Sequence, residues 1–253
     1  MLLAEDEPKA FEVARENARS PYLVLCDHAS RRIPRSLGTL GLPVSELERH
    51  IAWDLGAAGL ARRLADKLDA WLILQNYSRL VIDCNRRLDR PDSIAEQSED
   101  TAVPGNVGLS SDERRARADE IFEPYHARIR AELDRRASAR PAPIVLFVHS
   151  FTPVYRGVAR PWQAGVLHHR DTRLALPLLR ALEREPGLTV GDNQPYAANA
   201  LSDYGIVEHA EARGFAPLEL EVRQDLLADA DGQDEWAERF ARLISAATRE
   251  LGL

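Results

Sequence analysis

Leu23-Val24-Leu25-Cys26-Asp27-His28-Ala29-Ser30 is the stretch on which the reading of the fold turns. An apolar run follows Pro21 and stops at Asp27 and His28, the pattern of a buried strand that delivers polar side chains at its end. In open α/β sheets, ligands bind at the carboxyl ends of the strands. Pro143-Ile144-Val145-Leu146-Phe147-Val148-His149-Ser150 repeats the design and again ends in His-Ser. A third run, Leu218-Glu219-Leu220-Glu221-Val222-Arg223, brings Glu221 and Arg223. Two His and a Glu at three strand ends are the parts of a mononuclear zinc hydrolase. The bland reading of the same residues is two buried, hydrogen-bonded histidines and a Glu221 paired with Arg223 or another Arg.

The chain has 253 residues, 45% of them hydrophobic, enough for one large α/β domain or two small ones. One domain over 1–253 is expected, because the three runs are spread from position 23 to position 223 and must converge. A net charge of −7 and a pI near 5.6 argue against nucleic acid or an anionic membrane as partner. No run approaches the ~20 apolar residues a membrane span requires. Met1 to Ser20 is acidic and mixed, without the basic-then-apolar order of a signal peptide, so a cytoplasmic location is expected. Cys26 and Cys84 read as buried, reduced thiols.

Along the chain, Met1 to Ser20 looks like a helical or loose lead-in. Ser45-Glu46-Leu47-Glu48 reads as a capping box opening a helix with Leu47, Ile51, Leu55, Ala58, Leu60, Leu64 and Leu68 at near-helical spacing. His50 and Asp54 would share one face of it, as a metal pair or as a surface pair. Trp71–Leu74 and Leu80–Asp83 read as two more buried strands. Pro91 to Gly108 is a long aperiodic segment, expected to form a lid or a pocket wall. Ser110 opens a helix to about Arg136, interrupted by Pro124, in which His126 is structural. Ala164–Leu167 is a short strand ending in His168-His169, whose side chains point to opposite faces. A helix over Asp171–Arg184, a loop over Gly187–Asn199, a helix from Tyr204 stopped by Gly214, and a closing helix Trp236–Leu251 complete the reading. There is no P-loop and no G-x-G-x-x-G motif.

Five motifs in order carry a resemblance: Asp27-His28-Ala29-Ser30; His50…Asp54-Leu55-Gly56-Ala57; Ser78-Arg79-Leu80-Val81-Ile82-Asp83-Cys84-Asn85-Arg86; His149-Ser150-Phe151-Thr152-Pro153; and Glu221-Val222-Arg223-Gln224-Asp225-Leu226. This order resembles the N-formylglutamate amidohydrolases, from about Pro21 to Leu226. That family is similar in fold to the zinc carboxypeptidases. The resemblance implies a three-layer α/β/α core with a mixed central sheet and a bound Zn2+. It implies His28 and His149 as metal ligands. The carboxypeptidases carry a Glu three residues after the first His, where this chain has Arg31. The third ligand would then be Asp54, or else Asp27.

The resemblance also implies roles. Glu221 would take a proton from water and pass it to the leaving amine. Arg79 would polarise the formyl oxygen and stabilise the oxyanion. Asn85 and Arg86, with Arg160 or Arg223, would clamp substrate carboxylates, since a guanidinium matches a carboxylate bidentately. The expected substrate is small and anionic, N-formyl-L-glutamate or a similar N-acyl amino acid, with formate and L-glutamate as products of the former. The rivals are a zinc hydrolase of another N-acyl amino acid or small peptide, and a non-catalytic binder of an acidic metabolite.

Overall fold

Successive residues of a strand face opposite sides of a sheet, so a run that is apolar at every position needs cover on both sides. The computed structural model, which describes residues 1–253, provides it. Strand β1 (Phe11–Ala14), β2 (Tyr22–Cys26), β3 (Trp71–Gln75), β4 (Ile144–Phe151), β5 (Ala164–Leu167), β6 (Val190–Asp192) and β7 (Ala216–Arg223) form one sheet in the order β1-β3-β2-β4-β7-β5-β6. Neighbours β3, β2, β4 and β7 run parallel; β1 is antiparallel to β3, and β5 is antiparallel to β7. The sheet is therefore mixed, as expected.

In β2, Val24 and Cys26 face one core and Leu23 and Leu25 the other. The first core is closed by helices α1 (Ala57–Leu68), α4 (Ala175–Glu183) and α5 (Ala230–Leu251). The second is closed by helix α3 (Glu123–Arg136), the turn that precedes it, and buried loops around Tyr77–Cys84. This is the three-layer α/β/α arrangement. Each fully buried Leu, Ile or Val contributes roughly 1.5–3 kcal/mol of transfer free energy.

Several expectations are corrected. The lead-in is neither helical nor loose throughout, because Phe11–Ala14 pairs with β3 as an edge strand. The helix expected from Ser45 is broken in two. A single turn, Val44–Leu47, follows Pro43 with no side-chain cap, and α1 begins only after Gly56. Gly56 adopts φ 78°, and a Cβ there would lie 2.4 Å from Leu227 Cβ, so the chain can fold back at this point only through glycine. Leu80–Asp83 is buried but forms turns rather than a strand. Its polar groups are met without a ladder: Arg117 Nη1 donates to Val81 O (2.9 Å), Asn106 Nδ2 to Leu80 O (2.8 Å), and Asp83 N to Ser93 O (2.8 Å). Pro124 does not interrupt its helix. The residues before it, Ala118–Phe122, widen into a π-helical turn that joins helix α2 (Ser111–Arg117) to α3. Ser110 and Glu113 form the capping box of α2. The loop expected over Gly187–Asn199 contains β6, whereas the helix expected from Tyr204 is present and stopped by Gly214 at φ 73°, with Ile206–Ala210 wound as a π-helix and Glu211–Arg213 as a 3-10 turn.

Candidate active site

Three of the candidate side chains arrive from the same edge of the sheet. His28 lies two residues past the end of β2, and its carbonyl accepts a hydrogen bond from Asp54 N at 2.9 Å. That bond, with the Gly56 turn behind it, holds Asp54 over the strand end. His149 lies on β4 and Glu221 opposite it in register on β7. All four are nearly inaccessible, at 2–4% exposure.

Asp54 Oδ2 sits between two imidazole nitrogens, 2.8 Å from His149 Nδ1 and 3.3 Å from His28 Nδ1. One donor atom from each of the three residues falls within 4.8 Å of the others. A tetrahedral zinc with bonds of about 2.0–2.2 Å spaces its ligands about 3.3–3.5 Å apart, so two N and one O in this arrangement fit a metal. The outer nitrogens support the same fit. His28 Nε2 contacts Asp83 Oδ1 at 2.7 Å, and Asp83 Oδ2 in turn accepts from Arg79 Nη2 at 2.8 Å. A carboxylate on the far nitrogen is the usual orienting partner of a metal-bound imidazole. His149 Nε2 is buried with no hydrogen-bond partner, and the Glu219 carboxyl lies 4.0 Å from it. Asp27, the other candidate ligand, is elsewhere: its Oδ1 accepts from Tyr125 Oη at 2.5 Å.

The electrostatics match a site built for a cation. Burial works against a charged His149, yet the hydrogen bond and charge of Asp54 overcome it and hold the imidazole up at about 10. Burial likewise opposes an ionised Asp54, and the His28 and His149 charges pull it well below the usual carboxylate range. Burial, opposed by the His149 charge and aided by that of Asp54, pushes Glu221 up to about 8. One of its oxygens, Oε2, is buried without a partner.

These residues open onto a cavity of about 250 Å³. Arg79 and Asn85 line it. Asn85 Oδ1 accepts from Gly205 N at 3.1 Å, which leaves the amide nitrogen for the pocket. Arg86 also lines it, but its Nη1 donates to the carbonyls of Asn85 and Ser202 and its Nε faces Asp92 at 3.4 Å. It ties down the 199–204 loop. Arg160 stands behind the wall, its guanidinium 4.7 Å from the Tyr155 ring and 4.8 Å from the Tyr196 ring, with Nη1 donating to Tyr196 Oη at 3.0 Å. Arg223 does not reach the cavity. It closes the carboxyl end of β7, two residues past Glu221, and pairs with Asp225 at 2.8 Å outside the cavity, so the sequence-based clamp loses that member. The Glu221–Arg223 pair of the bland reading is also absent.

His50 lines the cavity but does not share a helix face with Asp54; its Nε2 lies 3.4 Å from Glu99. His168 contacts Asp192 and His169 contacts Glu211, both at 2.7–2.8 Å and outside the cavity. Pro91–Gly108 forms a wall: its hairpin, Gln97–Ser98 paired with Thr101–Ala102, contributes Ser98 and Glu99. Sequence reasoning missed Glu219, Asp203 and Tyr196, all of which line the cavity. Glu219 was findable, since it stands two residues before Glu221 and so faces the same side of the strand. Tyr196 and Asp203 lie in aperiodic chain and gave no signal.

The geometry agrees with what comparison with known proteins finds. Across the whole chain and the whole of that protein, the fold superimposes on the crystal structure of the gene product Atu2144 from Agrobacterium tumefaciens, with TM-score 0.96 at 37% identity. An N-formylglutamate amidohydrolase from Ralstonia eutropha JMP134 shares the fold at TM-score 0.67 and 19% identity, over 96% of this chain and 100% of that one. A bacteriophage poly-gamma-glutamate hydrolase shares it more distantly, at TM-score 0.50 and 12% identity, over 97% of this chain and 91% of that one. No curated protein matches the sequence. The pattern of the N-formylglutamate amidohydrolases, however, matches residues 20–228, a span that contains His28, Asp54, His149 and Glu221 alike, and the chain therefore belongs to that family.

Proposed function

We propose that this protein is a zinc-dependent amidohydrolase that cleaves the linear amide bond of N-formyl-L-glutamate or a similar N-acyl amino acid, with residues 1–253 working as one domain in the cytoplasm. The reading is carried by one observation: His28, Asp54 and His149 converge on a single point, with the unpartnered Glu221 carboxyl in the same cavity. Membership of the family supports the hydrolase chemistry.

Zinc bound by those three residues supplies the Lewis acidity that makes a water nucleophilic near neutral pH. The chain's own residues do the rest. Glu221 accepts a proton from the attacking water and returns it to the leaving nitrogen; its buried oxygen without a partner is free for that exchange. Arg79, fixed by Asp83 and within 3.6 Å of Asp54, holds its charge beside the acyl oxygen as that oxygen becomes negative. The Asn85 amide orients the amino-acid portion, and Arg160 acts through Tyr196, which it holds in the cavity wall. For the formyl substrate, water and the amide yield formate and the free amino acid.

The test is release of formate or acetate from N-formyl-L-glutamate, N-formyl-L-methionine and N-acetyl-L-glutamate by zinc-supplemented protein. Turnover of a formyl substrate is expected. No release from any of the three would remove the amidohydrolase assignment.

A further inference from the structure

The cavity that holds the candidate metal ligands has a neighbour. An open cleft of about 460 Å³ adjoins it, and the two share Ile51, Arg79, Arg86, Ser98, Glu99 and Tyr155 as walls. At about 250 Å³, the first cavity falls below the usual range of small-molecule pockets, about 300–1,000 Å³; with the cleft added, the space lies well inside that range. Two hairpins frame the cleft. One pairs Gln97–Ser98 with Thr101–Ala102, the other Val154–Tyr155 with Val158–Ala159. They meet turn to turn, where Arg156 N donates to Glu99 Oε1 at 3.5 Å and Arg156 Nη2 donates to Glu99 O at 3.3 Å.

Every acid on the cleft wall is already paired: Asp83 with Arg79 at 2.8 Å, Asp92 with Arg90 at 2.9 Å, and Glu99 with Arg49 at 2.6 Å. Two of the three guanidiniums there are committed as well, Arg79 to Asp83, and Arg86 to Asp92 and two backbone carbonyls. Arg156, the third, forms no ion pair. Its guanidinium lies over the Tyr155 ring at 5.6 Å and gives one N–H to Glu99 O, so the rest of a permanently charged fork is open. This distribution says where a substrate carboxylate can sit. Beside the scissile bond the open donor is the neutral Asn85 amide, and Arg86 next to it is taken. A peptide carbonyl meets such a donor as well as a carboxylate does. The free cation stands further out, in the cleft that Arg86 shares with Arg156.

We propose that the cleft is a second substrate-binding subsite, and that the substrate carries a further residue on the amine side of the scissile amide: an N-acyl dipeptide whose terminal carboxylate pairs with Arg156. The inference rests on the amidohydrolase reading above and lengthens its substrate. Water adds to the acyl carbon, the acyl C–N bond breaks, a proton passes to the leaving nitrogen, and the dipeptide departs whole. Arg156 binds the substrate and takes no part in the chemistry.

The experiment measures formate release by zinc-supplemented protein from N-formyl-L-glutamate, N-formyl-L-glutamyl-glycine and N-formyl-L-glutamyl-glycinamide, and from the same three compounds built on methionine. The two extended forms have the same length and differ only in the terminal charge. In the wild type, kcat/KM for the glycine form should exceed that for the glycinamide form about three- to fivefold, the worth of an exposed ion pair, and should exceed that for the unextended compound by at least about as much. Arg156→Gln, at an exposed position, should erase the difference between glycine and glycinamide through KM while leaving the unextended compound unchanged. An unextended compound turned over as well as its glycine form would overturn the inference and leave the amidohydrolase reading standing, as would an Arg156→Gln variant that keeps the wild-type preference. No formate from any of the six, with none of the three compounds of the first assay turned over either, would overturn both.

Discussion

At the scale of single residues, the site depends on which polar groups are left open and which are closed. Glu221 keeps one buried oxygen without a partner, and it lines the cavity that His28, Asp54 and His149 also line. Glu221→Gln should therefore retain metal while turnover falls by roughly 10²–10⁴, the usual contribution of a general base; metal analysis beside a formate assay checks both halves. Asp83 closes the far side of His28. Asp83→Asn should weaken metal binding by about 10–100-fold, read by competition with a chelator, since an orienting carboxylate contributes on that order. The positions of His28, His149 and Glu221 were legible in the sequence because each stands at or near the end of an apolar run, where pattern alone places a side chain. Asp54 was harder. It and Asp27 are equally acidic, and only the Tyr125 hydroxyl, nearly one hundred residues away in sequence, decides that Asp27 faces elsewhere. Arg223 reads like a pocket residue by alternation with Glu221, yet a local ion pair with Asp225 draws it out.

At the scale of elements, the strands were easier to read than their connections. A run of buried β-branched and aliphatic residues has few alternatives to a central strand, and β2, β4 and β7 fall where expected. Leu80–Asp83 shows the limit of that rule. An apolar run also survives burial without a strand if side chains such as Arg117 and Asn106 take over the ladder's hydrogen bonds, and these partners are remote in sequence. The break between the turn at Val44–Leu47 and α1 was equally hidden, because helical periodicity runs straight through it. Gly56 is the residue that enforces it. Gly56→Ala should cost about 2–5 kcal/mol of stability, combining left-handed backbone strain of roughly 1–2 kcal/mol with overpacking of about 1–3 kcal/mol against Leu227. Urea unfolding of the variant beside wild type checks this, and a loss under 0.5 kcal/mol would show that the turn tolerates a side chain.

At the scale of the whole molecule, the sheet brings distant sequence to one edge and the cores on both faces keep it there. One buried pair carries a pH cost. His126 Nδ1 lies 2.8 Å from His209 Nε2, where α3 meets the Ile206–Ala210 turn. Burial, with the Arg130 and Arg213 charges adding, pushes His209 down to about 3, and burial with the His209 and Arg130 charges pushes His126 well below its ordinary value. Both are neutral when folded, whereas in the unfolded chain each binds a proton below about 6.5. The unfolded state thus gains protons first, and stability is lost as pH falls from about 6.5 toward 3. The double variant His126→Gln, His209→Gln removes this term. Its stability relative to wild type should improve by about 2–4 kcal/mol between pH 7 and pH 5, measured by urea midpoints. No helix of the chain is long and apolar enough to cross a membrane. The central claim is that the convergence of His28, Asp54 and His149 is a zinc site, and metal content tests it most directly. Protein purified without added metal, and the His149→Ala variant beside it, would be analysed for zinc. The account predicts stoichiometric zinc in the wild type and its loss in the variant; a folded wild type with little zinc, and no uptake when zinc is supplied, would contradict it.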